Sequence, residues 1–466
     1  MSDWRLARLS LVEASREIRR RALSPLELAE AVLARIEALE PRLNAFTTRV
    51  PGEAVVSAAR AATDEIARGG WRGPLHGIPV TVKDLIDTAG LRTTYGSGMF
   101  RDHVPTADGA VPARLREVGA ILLGKTATHE FGKGLTTNNY FYGPTRNPWH
   151  LEHIPGGSSG GAAAAAAASL GPLHVGTDGA GSLRFPAAFC GVTALKPTLG
   201  LISNRGHTGG GHSSFSVPGP MTRGVRDAAV AAQELAGFDS AYVYSRPGPP
   251  PDLLGDLESG VRGLRIGTSP DLLQPAPDPD VEAAYEATLL RLESLGGRRV
   301  EVRMPHHKLV MRTVFALFSI EGDVLIDARL GDRPRLFSPQ VQRINERTPK
   351  PDLAAAVRAQ QDRQLVTRDY QAAFLECDVL VQPVAPLPAP RIDEEESRYV
   401  GRCVPYGGAA NLAGLPAVAL PAGMSGGMPI AIQVIGPPGT DALVLRVAYA
   451  LEEAAPEHRV QTPPPG

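Results

Sequence analysis

Apolar positions in the first seventy residues recur at helical spacing. Behind Ser24 they fall at Leu28, Ala31, Val32 and Leu39, and Ser24-Pro25-Leu26-Glu27 supplies an N-cap serine, a proline at the first helical position and a glutamate placed for a capping box. Residues 1–70 therefore read as a helical segment that packs on the remainder of the chain. From Gly73 short apolar runs alternate with helical patterns: a strand over 78–82, a helix over 111–118, a strand over 120–123, a helix over 162–168 and a short strand at 173–175. Past Asp227 come strands at 264–267 and 299–303 around a helix at 281–295, a mainly helical stretch over 306–376, apolar runs at 379–384, 417–420 and 430–435, and a last helix at 441–454. Such alternation argues an α/β fold. No internal repeat or long linker interrupts it, so one continuous domain is expected, with a frayed tail from residue 455.

Composition narrows the partners. With 466 residues, core size is not limiting, and 48 Lys+Arg against 49 Asp+Glu leaves a net charge of -1. That balance lacks the basic excess that phosphate neutralisation requires, so no nucleic-acid partner is expected. Cys190, Cys377 and Cys403 show no CxxC spacing, which gives neither a disulfide framework nor a cysteine zinc site and fits a reducing cytoplasm. The arginine-rich start has no apolar run behind it, so export is not expected, and the apolar stretch 162–173 falls short of the about 20 residues that span a bilayer. No membrane partner is expected either.

Residues 151–225 hold the unusual sequence. Gly119 to Thr126 matches the G-x4-G-K-[ST] phosphate loop, but the four intervening residues form an apolar strand behind a helix, the wrong context. Gly156-Gly157-Ser158-Ser159-Gly160-Gly161 contains G-x-S-x-G, yet residues 149–155 cannot supply the strand of a nucleophile elbow; a helix start capped by Ser158 accounts for it equally. In 176–182 a serine ends a turn of small residues, and the N–H groups of Gly179, Ala180 and Gly181 can converge beside Ser182 as an oxyanion hole; an ordinary glycine loop is the alternative. None of His76, His129, His150, His153, His174, His207 and His212 sits in a triad context, and the i, i+3 pair His150 and His153 lacks a third metal ligand. Lys83 closes an apolar strand, where burial would leave a neutral amine usable as a base, although a snorkelling lysine explains it as well.

Together the pieces carry more. HGIPVTVKD ending in Lys83 and Asp84, GKTATHEFG at 124–132, GPTRNPW at 143–149, PGGSSGG at 155–161, GTDGAGSLRFPAAFCGVTALKPT at 176–198, NLAGLPAVALPAG at 411–423 and IQVIG at 432–436 resemble the amidase signature family in order and spacing. The resemblance implies a large mixed β-sheet covered by helices on both faces, with 71–466 as the catalytic domain. It also implies a Ser-cisSer-Lys triad: Ser182 as nucleophile, Ser158 as bridging serine 24 residues earlier, and Lys83 as base. Gly179, Ala180 and Gly181 would bind the oxyanion, and Ser159, Thr177, Asp178 and Arg184 would hold the turn. Neither metal nor cofactor is implied. Ala180 stands where glycine is frequent, which is tolerable at negative φ.

Members that serve transamidation of tRNA-bound glutamate show DEFAMG and SDTGGSIRQP, where this chain has HEFGKG and TDGAGSLRFP. The departures point to a free-standing cytoplasmic amidase for a small or medium carboxamide, with a homodimer possible. The alternatives are the glutaminase (A) subunit of a tRNA-dependent amidotransferase and a non-catalytic amide-binding protein. The substrate pocket is expected from 306–346 and from loops near Phe131 and 207–215.

Overall fold

The computed structural model describes residues 4–208, 214–330, 336–347 and 352–456. The expected tail beyond 456, and His212, lie outside them. Ser24 caps the helix Pro25–Leu43: its hydroxyl accepts from the Glu27 N–H at 3.1 Å while Glu27 accepts from the Ser24 N–H at 2.8 Å. The N-terminal segment is not wholly helical, because Phe46–Arg49 forms an edge strand against Ile121–Thr126. Leu28, Val32 and Ile36 are buried in the same apolar cluster as Val80, Val82 and Val175 of the sheet.

Eleven strands make one mixed sheet among the described residues. In chain order they are β1 (Phe46–Arg49), β2 (Pro79–Lys83), β3 (Ile121–Thr126), β4 (Leu173–Asp178), β5 (Thr193–Lys196), β6 (Val217–Thr222), β7 (Arg265–Thr268), β8 (Arg298–Glu301), β9 (Val379–Pro383), β10 (Ala417–Ser425) and β11 (Met428–Ile435). Their spatial order is β1-β3-β2-β4-β6-β5-β10-β11-β9-β7-β8. β2 runs parallel to both neighbours, with Lys83 opposite Thr126 and Val82 opposite Val175. The β4, β6, β5, β10, β11 and β9 neighbours are antiparallel, whereas β9-β7 and β7-β8 are parallel. Helices cover both faces, as the resemblance implied.

Several elements escaped the sequence reading, among them β5 and the helices Arg184–Cys190 and Val225–Leu235. β6 has the sequence VPGPMT, and prolines argue against a central strand because they cannot donate to a ladder. It is nevertheless buried throughout, with Pro218 and Pro220 opposite Thr177 and Val175. The helix Val400–Leu412 contains Pro405 and three glycines, so propensity hid it. The all-alanine stretch does form a buried helix, Gly160–Ala167. No described helix is long and apolar enough to cross a membrane.

Candidate active site

Parallel strands place their carboxyl ends on one rim of a sheet, where α/β proteins put their ligands. Lys83 ends β2, and Thr177 and Asp178 end the adjacent β4. Lys83 is fully buried and its Nζ lies 2.7 Å from Ser158 Oγ, 2.7 Å from Ser159 Oγ and 3.0 Å from Thr177 Oγ1. Burial pushes its pKa well below the ordinary lysine value, and the nearby Asp178 charge opposes this only in part.

A neutral amine has two protons and one lone pair, so one of the three hydroxyls must donate to it. Ser159 already gives its proton to the Thr177 carbonyl at 3.0 Å, which leaves Ser158 or Thr177. Asp84 points elsewhere, as strand alternation requires. It accepts from the Thr94 N–H at 3.1 Å and from the Thr94 hydroxyl, and burial raises its pKa to about 6 against the pull of Lys125.

Ser158 follows a cis peptide bond from Gly157. It is not the cap of the alanine helix: Ser159 holds that position, without a side-chain cap bond, and the Ser158 hydroxyl faces Lys83. The Ser159 N–H donates to the Ser182 carbonyl at 3.2 Å, which ties the 156–161 loop to the 176–182 turn. Of the two serines, Ser158 is 2% exposed whereas Ser182 lines an open cavity together with Gly157 and Ala180.

Asp178 builds that turn. Its carboxylate accepts from the Gly181 N–H at 2.6 Å, the Leu183 N–H at 3.1 Å and the Arg184 guanidinium at 3.0 and 3.1 Å. Burial by itself would raise its pKa, but the charge and bonds of Arg184 outweigh it and hold the carboxyl at about 2. Arg184 is itself fully buried and also donates to Gln433 (2.8 Å), the Gly407 carbonyl (2.8 Å) and Asn411 (2.6 Å). Asn411 in turn donates to the Asp178 carbonyl at 2.8 Å.

The expected trio of oxyanion donors is corrected in one member, because the Gly181 N–H is committed to Asp178. Gly181 instead supplies backbone freedom, with φ +113, while Ala180 keeps φ out of the positive region. The N–H groups of Gly179, Ala180 and Ser182 remain on that turn. Asn411 and Gln433 went unassigned in the sequence although both lie inside quoted motifs. Nothing local marks them, since Arg184 and Asp178, the site residues they bond, are more than 200 residues away.

The cavity over Ser182 measures about 850 Å³. Val314, Phe315 and Phe318 line it, as do Gln340 and Arg343, all within the expected 306–346 stretch. The loop near Phe131 contributes Gly132 to Leu135. Residues 209–213 lie outside the described residues, and Phe215 sits behind the wall, its ring stacked on Phe318 at 5.4 Å. Ile392, the acidic run Asp393 to Glu396, Val400 and Val404 also line it and were not foreseen.

Histidines are otherwise engaged. His174 bonds Thr81 at 2.8 Å and burial lowers its pKa to about 3. His129 is buried beside the site, and burial followed by the Lys83 charge lowers it to about 4. His150 and His153 touch each other, but no group of three or more His, Cys, Asp or Glu that could hold a metal occurs among the described residues. In the phosphate-loop look-alike Lys125 is buried within β3 and donates to Thr88 at 2.6 Å and to the Ile86 carbonyl.

The sequence profile described as Amidase matches residues 27–445. The chain is 36% identical over 480 residues to the A subunit of the glutamyl-tRNA(Gln) amidotransferase of Carboxydothermus hydrogenoformans, covering 97% of this chain and 98% of that one. Among solved structures it is similar to a bacterial aryl acylamidase of the amidase signature enzymes (TM-score 0.90, 26% identity, 98% and 99% of the two chains). It is similar also to the peptide amidase of Stenotrophomonas maltophilia (TM-score 0.87, 30% identity, 99% of each chain). The first of these relatives corrects the expected partner set, a small amide and at most a second copy with nucleic acid excluded. A full-length relative is named as one subunit of an enzyme for a tRNA, so the net charge of -1 does not exclude a nucleic-acid partner.

Proposed function

This chain belongs to the amidase signature family, and we propose from that premise that it cleaves a carboxamide through Lys83, Ser158 and Ser182. It acts on carbon–nitrogen amide bonds, as the family does. The observation that carries the proposed residues is the buried amine of Lys83 at 2.7 Å from Ser158, with the Ser182 turn fastened beside it. Neutral Lys83 takes a proton from Ser158 as Ser158 takes one from Ser182, and the Ser182 oxygen bonds to the carbonyl carbon. The N–H groups of Gly179 and Ala180 are the first candidates to stabilise the oxyanion. Collapse breaks the C–N bond, and the departing nitrogen receives its proton from Ser158, which regains one from Lys83. Water then releases the acid from Ser182 by the same relay. Ser159, Thr177, Asp178 and Arg184 hold these groups in place.

Two settings fit this chemistry. The curated relatives support the first, in which the chain is the amide-cleaving subunit of a glutamyl-tRNA(Gln) amidotransferase and releases ammonia for transfer. The second is an amidase acting on a larger amide, and the cavity of about 850 Å³ favours it, since glutamine would fill a small part of that space. Ammonia release from glutamine, measured beside a panel of aliphatic and aromatic carboxamides, separates the two. A fluorophosphonate probe followed by peptide mapping tests the nucleophile, and labelling of Ser158 with Ser182 untouched would remove the assignment.

A further inference from the structure

The relay decides which way an amide must lie. The departing nitrogen receives its proton from Ser158, so it faces the Ser158 side of Ser182, and the acyl chain extends the other way. The two sides differ in chemistry. On the Ser158 side the wall is the loop 132–136: a Cβ on Gly132 would stand 3.3 Å from Ser158 Oγ, and one on Gly157 would stand 2.7 Å from the Thr136 nitrogen. That wall carries Lys133, backbone groups and Glu396, which accepts the Leu135 N–H at 2.6 Å.

Beside the turn, Ala180 belongs to one apolar cluster with Val314 and Val404, against which Phe315, Phe318 and Val400 pack. Val314, Phe315 and Phe318 project from one face of the helix Val310–Leu330, and Val400 and Val404 from one face of Val400–Leu412. All five line the cavity. We infer that the acyl half of the substrate is an aryl or branched alkyl group, held against Phe315, Phe318 and Val404, while the departing amine is small or polar. This rests on the proposed relay and on the second setting above.

An acetyl group would leave that wall wet. One methylene in an apolar pocket changes kcat/KM by roughly 10–200-fold, so a phenyl ring that fills the wall should gain at least about a hundredfold. The experiment compares ammonia release from acetamide, isobutyramide, phenylacetamide and glutamine by the full chain. It repeats the series with Phe318→Ala and with Val404→Phe, which shrinks the chamber without opening a void.

The expected order is phenylacetamide above isobutyramide above acetamide and glutamine. The ratio of kcat/KM for phenylacetamide over acetamide should fall about tenfold or more in each variant. Protection of Ser182 from the fluorophosphonate by phenylacetate but not by acetate gives a reading that needs no turnover. If glutamine is preferred, or if all amides are cleaved alike with equal losses in both variants, the acyl assignment is overturned while the relay stands. If no amide is cleaved and Ser182 is not labelled, the relay fails and the assignment with it.

Discussion

Replacing Arg184 by Met removes the positive charge beneath the nucleophile turn while keeping much of the side-chain volume. In the native protein a guanidinium with no exposed surface donates twice to Asp178 and once each to Gln433, the Gly407 carbonyl and Asn411. Removing one partner of a buried ion pair costs about 3–5 kcal/mol, because the other charge is left desolvated. An unfolding entropy of roughly 2.1 cal/mol/K per residue gives ~1 kcal/mol per degree for 466 residues. The variant should therefore melt about 3–5 °C below wild type at neutral pH.

The sign of the pH dependence follows from Asp178. Its native carboxyl sits at about 2, below the ordinary 3.8, so its contribution is fully present above that value and is lost as pH falls through about 2. Without Arg184, burial is opposed only by the Lys196 charge and the Gly181 and Leu183 N–H bonds, and the ionised carboxylate becomes a liability as pH rises. The melting gap should be widest at neutral pH and narrow toward acid. Asp178→Asn combined with Arg184→Met should melt well above the sum of the two single losses, since a neutral amide no longer needs the cation. Scanning calorimetry of the four proteins at several pH values checks this. A variant within 1 °C of wild type, or strict additivity in the double variant, would refute the reasoning.

Lys83→Ala and Ser182→Ala should each abolish turnover with an unchanged far-UV circular dichroism spectrum, and the double variant should lose no more than either alone. Ser158→Ala should retain a trace of activity that water carries across the gap; activity close to wild type would remove Ser158 from the relay. Because burial holds Lys83 well below the usual lysine range and only its neutral form accepts a proton, kcat/KM should rise with pH on a limb that begins below the ordinary lysine value. A profile flat from pH 5 to 10 would contradict that. Gly181→Ala should cost about a hundredfold in kcat or more, since φ +113 disfavours any side chain and a Cβ there would strike the Phe185 ring; unchanged kinetics would show that the turn does not need this torsion.

The primary sequence was enough to place Lys83 at the end of a buried strand, Ser182 at the end of a small-residue turn, and the capping box at Ser24, because each depends on neighbours a few positions away. It also carried the α/β alternation and the exact span of the last helix, Asp441–Ala454. Local propensity misread the rest. VPGPMT is assigned no element, yet it becomes a central strand: Gly219 packs so closely on β5 that a Cβ would not fit, and pairing with β4 fixes the backbone that prolines leave under-bonded. The stretch Val400–Leu412 is likewise assigned no element, yet its helix forms where the bare Gly407 lets it approach Ala180 and Phe185. Only the folded chain joins Arg184 to Gln433 and Asn411, sets Glu396 against Leu135, and turns Val404 and Phe318 onto one wall of the cavity. Short-range periodicity and capping act over three or four residues, so they survive in the sequence, whereas a pocket wall is decided by which distant faces share one buried volume.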